Sequence, residues 1–204
     1  MAAAVSSSPP AGWRASPRVL ARLLAGLWLF GTGDALVVSA GLGNSPWTVL
    51  AQGLSRHTPL SIGEATIAVS FVLLAIWIPL RVRPGLGTLL NAILVGIALD
   101  TTLALLGQAP LGVRVAELAA GIALVGVGSG LYLGAALGPG PRDGLMMGLH
   151  HRTGRPVALL RGAIEVTALT AGGLLGGTVG IGTLAFALLV GPAVATGLRV
   201  LRAL

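Results

Sequence analysis

The chain has 204 residues, of which 54% are hydrophobic and 9% charged, with a formal net charge of +7 and no cysteine. A soluble domain of this size needs more polar surface, so the composition excludes that class and points to a chain whose main solvent is lipid. The basic residues are all arginines scattered between apolar runs, with no basic and aromatic face, which excludes a nucleic-acid interface; lack of cysteine excludes a disulfide framework or thiolate metal site.

Residues 1–17, with Ser6, Ser7, Ser8, Pro9 and Pro10, have no apolar periodicity and are expected to form a disordered tail. An apolar run follows at Val19–Leu42, behind Arg14, Arg18 and Arg22. It looks like a signal peptide ending in Val38, Ser39 and Ala40. It is longer than the apolar core of about 7–15 residues such peptides carry, and it contains Asp34, so it reads as a retained first span. Further spans are predicted near Leu60–Leu80, Gly87–Leu106, Gly112–Leu137, Val157–Thr178 and Gly182–Leu201, each of about the 20 residues that cross a hydrocarbon core of about 30 Å.

The chain repeats itself. Residues 31–54 align with 126–149 at an offset of 95, with identities that include Gly31/Gly126, Gly33/Gly128, Gly43/Gly138, Pro46/Pro141 and Gly53/Gly148. The same offset returns where GLGTLLNAILVG (Gly85 to Gly96) matches GIGTLAFALLVG (Gly180 to Gly191) at eight of twelve positions. Chance alignment of glycine- and leucine-rich helices does not readily keep one offset at both ends of a long stretch. The prediction is an all-α membrane protein of six transmembrane helices in two three-helix repeats, residues 18–107 and 108–204, each with a broken or re-entrant segment after its first helix. An odd number of spans per copy makes the second copy enter from the opposite face, an inverted repeat. Arginine placement agrees with cytoplasmic termini in a bacterial plasma membrane: Arg56 and Arg114 fall outside and the other eleven inside. If the broken segments also crossed, the copies would be parallel. The dozen or so residues from Pro46 to His57 would rise only about 18 Å as a helix, which favours the re-entrant reading.

The broken segments read Gly41-Leu42-Gly43-Asn44-Ser45-Pro46-Trp47 and Gly138-Pro139-Gly140-Pro141-Arg142-Asp143-Gly144. Glycine ends a helix, and Ser45 or Gly140 followed by proline starts the next. Free N–H groups there suit an anion or polar head group, and matched broken segments in two halves point to a transporter's site. The plainer alternative is an interfacial turn anchored by Trp47. The stretches GLGNSPWTVL and GPGPRDGLMMGL resemble the YczE/YitT-like group of small polytopic bacterial membrane proteins. That resemblance implies the architecture, makes Pro46, Trp47, Pro141, Arg142 and Asp143 the motif positions, and supplies no substrate.

Substrate-binding or gating candidates are therefore Asn44, Pro46, Trp47, Pro141, Arg142 and Asp143, with Arg142 meeting an anion, closing a gate or simply facing cytoplasmic phosphates. Ionisable groups inside spans are candidates for charge or proton handling: Asp34, Asp100, Arg161 and Glu165, the last two at the spacing of an intrahelical ion pair. Asp34 could take up a proton, pair with Arg114 across the bundle, or face a wet cavity. Glu64 and Glu117 read as solvated helix-end charges. His57, His150 and His151 lack carboxylates at ligand spacing, so neither metal nor cofactor is expected. Small residues at Gly126, Gly130, Gly134 and at Gly172, Gly176, Gly180 form helix faces suited to packing or to a second copy. No HExxH, GxSxG or P-loop motif is present, so an enzyme is not expected. The expected function is a small secondary transporter or exporter of a small molecule; its rival is a structural, sensory or assembly factor that binds lipid or a partner protein.

Overall fold

The structure, a computed structural model, describes residues 12–202. Its elements are eight helices: α1 (Pro17–Ala40), α2 (Pro46–Ser55), α3 (Ile62–Leu80), α4 (Leu86–Leu103), α5 (Leu111–Gly134), α6 (Pro141–Thr153), α7 (Val157–Leu174) and α8 (Ile181–Arg202). Six of them, all but α2 and α6, are long and apolar enough to cross a membrane. With 10 and 13 residues, α2 and α6 would rise about 15 and 20 Å, short of the core.

Local chemistry sets the ends. Ser16 caps α1, which starts at Pro17 and stops at Gly41 in the left-handed conformation (φ 59°). Ser45 caps α2 ahead of Pro46, accepting from the Thr48 N–H, while Gly140 precedes Pro141 without a side-chain cap. Residues 1–11 of the expected tail lie outside the described residues. The tail is shorter than expected at its other end: Ser16 is the cap and Ala15 packs against the cluster of Leu23, Leu27, Val95 and Tyr132.

The helices pack in pairs that recur at the 95-residue offset. α1 lies on α4 as α5 lies on α8, α2 on α7 as α6 on α3, and α1 and α5 form the centre. At that centre Gly26 faces Gly128 and Gly33 faces Gly121, so the two helices cross running in opposite directions. A Cβ at Gly33 would stand 2.7 Å from the Gly121 carbonyl oxygen and one at Gly128 2.6 Å from that of Gly26. Backbone bonds are exchanged in the same sense. The Gly87 N–H donates to the Leu137 oxygen (2.9 Å) and the Gly182 N–H to the Leu42 oxygen (2.8 Å). Gly43 and Gly138 (φ 116° and 119°) press against Gly180 with Thr183 and Gly85 with Thr88, positions that correspond pair for pair.

The glycine faces expected to suit packing or a second copy also make close approaches within the bundle. Gly126 and Gly130 meet Ala193 and Gly197 on α8, Gly134 meets the Arg22 guanidinium, and Gly172 meets Val49 and Leu50 on α2. They hold the bundle together internally, because backbone-to-backbone packing is how helices gain contact in a solvent as apolar as their side chains.

Candidate binding cavity

A cavity of about 530 Å³ lies within the bundle, its wall formed by the first turns of α2 and α6 and by residues of α1, α3, α4, α5, α7 and α8. Phe30, Val95 and Val125, each halfway along its span, border it. The volume falls within the range of about 300–1,000 Å³ in which small-molecule sites occur. One side is polar, with Asn91, Ser129, Tyr132, Arg142, Asp143, Arg161 and Glu165, and the side along α8 is apolar from Phe186 to Leu198.

The α6 motif supplies the centre of the polar side. Trp77, buried on α3, donates its indole N–H to the Pro141 oxygen at 3.0 Å, and Gly144 leaves the space its ring occupies. This bond ties the first turn of α6 to α3. Asp143 accepts a hydrogen bond from the Tyr132 hydroxyl at 3.0 Å. Arg142 turns the other way and stacks over the Trp47 ring, 5.3 Å from its centre, a cation–π contact between the two motifs. Among the described residues Arg142 makes no hydrogen bond and no ion pair, although it carries five N–H donors.

Other candidates fall in different places. Arg161 and Glu165 form the expected pair, 3.0 Å apart, and both border the cavity. Asp34 is buried at 2% exposure and its Oδ2 has no partner. It does not pair with Arg114, whose guanidinium donates to the Ala40 and Gly41 oxygens (2.6 and 3.2 Å) at the end of α1, where the free carbonyls attract a cation. Asp100 is not at the cavity: it accepts from the Ser61 hydroxyl and from the Gly63 N–H at 2.8 Å, tying α4 to the start of α3. Asn44 is fully buried behind the motif, where its amide donates to Gln52 (3.0 Å) and its N–H to the Thr178 oxygen. Glu64 closes a capping box with Ser61, whereas Glu117 is half-buried with one oxygen unpartnered, so it is less solvated than its position at a helix end implied.

Sequence reasoning passed over Tyr132, Asn91, Ser129 and Trp77. The signal existed for three: Tyr132 is the single tyrosine, and Asn91 and Ser129 are polar residues within apolar spans.

Taken together, the composition and the six spans define a polytopic α-helical membrane protein. The chain belongs to the family of unknown function DUF6198, whose model matches residues 18–198. It is 41% identical over 89% of its length, and 84% of the relative's, to an uncharacterized protein of Haemophilus influenzae. Its identity to the uncharacterized membrane protein YczE of Bacillus subtilis is 34%, over 82% of this chain and 79% of that one, in keeping with the YczE-like resemblance of the two motifs. A second Bacillus subtilis protein, YyaS, is 28% identical over 78% and 82% of the two chains. No solved structure matches.

Proposed function

We propose that the chain is a small secondary transporter of the bacterial plasma membrane, built from two inverted three-helix copies, that moves a small molecule through the cavity between them without a chemical step. The observation that carries this reading is the convergence of the α2 and α6 N-terminal turns on one cavity that contains Arg142, Asp143, Arg161 and Glu165. Two matched broken segments that meet midway through a bundle are the arrangement from which alternating-access sites are made. The opposed directions of α1 and α5 and the exchanged Gly87–Leu137 and Gly182–Leu42 bonds support the inverted arrangement. Ionised groups held inside a bundle cost free energy, and lining a passage for a polar substrate is a function that retains them. Arg142 is the substrate-binding or gating cation, and Asp34, behind it and unpartnered, is the coupling acid.

The absence of native cysteine permits a direct test. Ser129→Cys, a near-isosteric change on the cavity wall, is treated with a membrane-impermeant maleimide added to one face and then to the other. Alternating access predicts reaction from both faces, each enhanced by a different direction of imposed proton gradient. Reaction from neither face under any gradient would sink transport and favour a structural or sensory protein.

A further inference from the structure

The two copies differ at one interface. In the first copy α3 and α4 pack along their length: Gly63 and Gly96 face each other's carbonyl oxygens, and Asp100 clamps Ser61 and the Gly63 N–H. At an offset of 95 the second copy keeps Gly96 as Gly191 but has Pro156, Ala158 and Ala195 in place of Ser61, Gly63 and Asp100. A methyl group stands where one glycine hydrogen allowed contact, and both partners of the clamp are gone. Accordingly α7 and α8, joined by residues 175–180, do not pack on each other; α7 lies on α2 and α6, and α8 on α5. A Cβ at Gly191 would meet nothing within 4 Å. The cavity runs into this gap, between Ile164 and Glu165 on one side and Val190, Gly191 and Val194 on the other.

The cavity therefore carries its charged groups on α6 and α7 and its apolar wall on α8, and it reaches both of the two spans that are not packed on each other. At the charged end Glu165 is paired with Arg161 and Asp143 accepts from Tyr132. The donors of Arg142 are the group left without partners, and they call for an anion that a planar guanidinium can grip with two bonds. We infer that the α7–α8 gap is a lateral door that admits an anionic amphiphile from the bilayer, its phosphate, sulfate or carboxylate head on Arg142 and its single apolar tail along α8. This deepens the transporter reading and rests on it for the direction of traffic, though not for the binding site.

The test uses the full chain in phosphatidylcholine nanodiscs and a dodecyl phosphate with a photoreactive diazirine near the tail end. Adducts mapped by mass spectrometry are expected on Ile164, Val190 and Val194. Unlabelled dodecyl phosphate should compete them away; neither methyl phosphate nor dodecyltrimethylammonium should. Arg142→Gln should weaken binding about tenfold or more, the loss of a charge-assisted bond. Gly191→Trp, which adds bulk only to open space, should abolish the adducts in a folded protein and keeps the test sound if Arg142→Gln misfolds. Labelling confined to lipid-facing Leu188, equal with and without competitor, overturns the site. Equal competition by methyl phosphate replaces the amphiphile with a soluble anion and leaves transport standing. Competition by the ammonium compound overturns the head-group assignment. Adducts at the expected positions without movement between leaflets keep the site and sink the transporter reading.

Discussion

The guanidinium of Arg142 lies 5.3 Å from the centre of the Trp47 ring and so joins the first turns of α6 and α2. At the corresponding place the first copy has tryptophan and the second arginine, so a contact between equivalent positions becomes a contact between unlike ones. A cation over an indole contributes about 0.5–2 kcal/mol, more when water is excluded. A double-mutant cycle of Trp47→Leu and Arg142→Gln, read by unfolding in mixed micelles, is predicted to give a coupling of that size. Additive effects would show that the two side chains are neighbours without interaction.

Topology follows from two ends. Single cysteines at Ser55, the last residue of α2, and Thr153, the last of α6, are predicted to react with an impermeant maleimide from opposite faces. The hypothesis rests on the antiparallel α1–α5 crossing and on the arginine distribution. Reaction from one and the same face would establish parallel copies.

Glu165→Gln reports whether the cavity is wet. The Arg161–Glu165 pair is 3.0 Å apart with side chains 59% and 38% exposed on the isolated protein. A solvated pair of this kind is worth under about 1 kcal/mol, whereas removing one partner of a dry pair costs about 3–5 kcal/mol. The smaller loss of stability is predicted, because both side chains border the cavity. A loss in the larger range would mean that lipid, not water, surrounds the pair.

Asp34→Asn removes a carboxylate whose Oδ2 is buried without a partner. The shape is kept and the need to bury a charge or keep a proton disappears, so the variant is predicted to insert and to match or exceed the parent's thermal stability. Its movement of substrate under a proton gradient should be lost. A variant that is as active as the parent in vesicles shows that Asp34 has no part in coupling.

The α3–α4 clamp gives a stability prediction independent of function. Asp100→Ala removes two hydrogen bonds to a charged acceptor, each worth about 1.5–3 kcal/mol, and leaves the Gly63 N–H without its partner. Ala195→Ser, at the equivalent place on α8, should be nearly silent. The expected reading is a clear loss of thermal stability for the first and none for the second; equal effects would remove the basis for treating the two interfaces as different.

Much of the architecture was legible in the order of residues. Run length and charge placement gave six spans whose ends lie within about four residues of the helices, since a bilayer imposes its thickness on any chain that crosses it. Gly43, Pro46, Gly138 and Pro141 marked the breaks because glycine and proline act on their own backbone, whatever surrounds them. The Arg161–Glu165 pair was equally legible, one turn apart on one helix.

What tertiary structure decided was which of these marked residues meet. Asp34 and Asp100 look alike in sequence, each an acid in an apolar span, yet one is left unpartnered in the core and the other clamps the start of a neighbouring helix. Arg114, a candidate partner for Asp34, reaches the carbonyls that end α1 instead. Tyr132 finds Asp143, and Trp77 the Pro141 oxygen, across 11 and 64 residues of chain. The α7–α8 gap goes with three changes, Ser61 to Pro156, Gly63 to Ala158 and Asp100 to Ala195, at an offset that sequence could align but whose contacts it could not see. A sequence lists each side chain's chemistry and its neighbours along one helix; the partner that satisfies or abandons a buried charge comes from another helix, and only packing selects it.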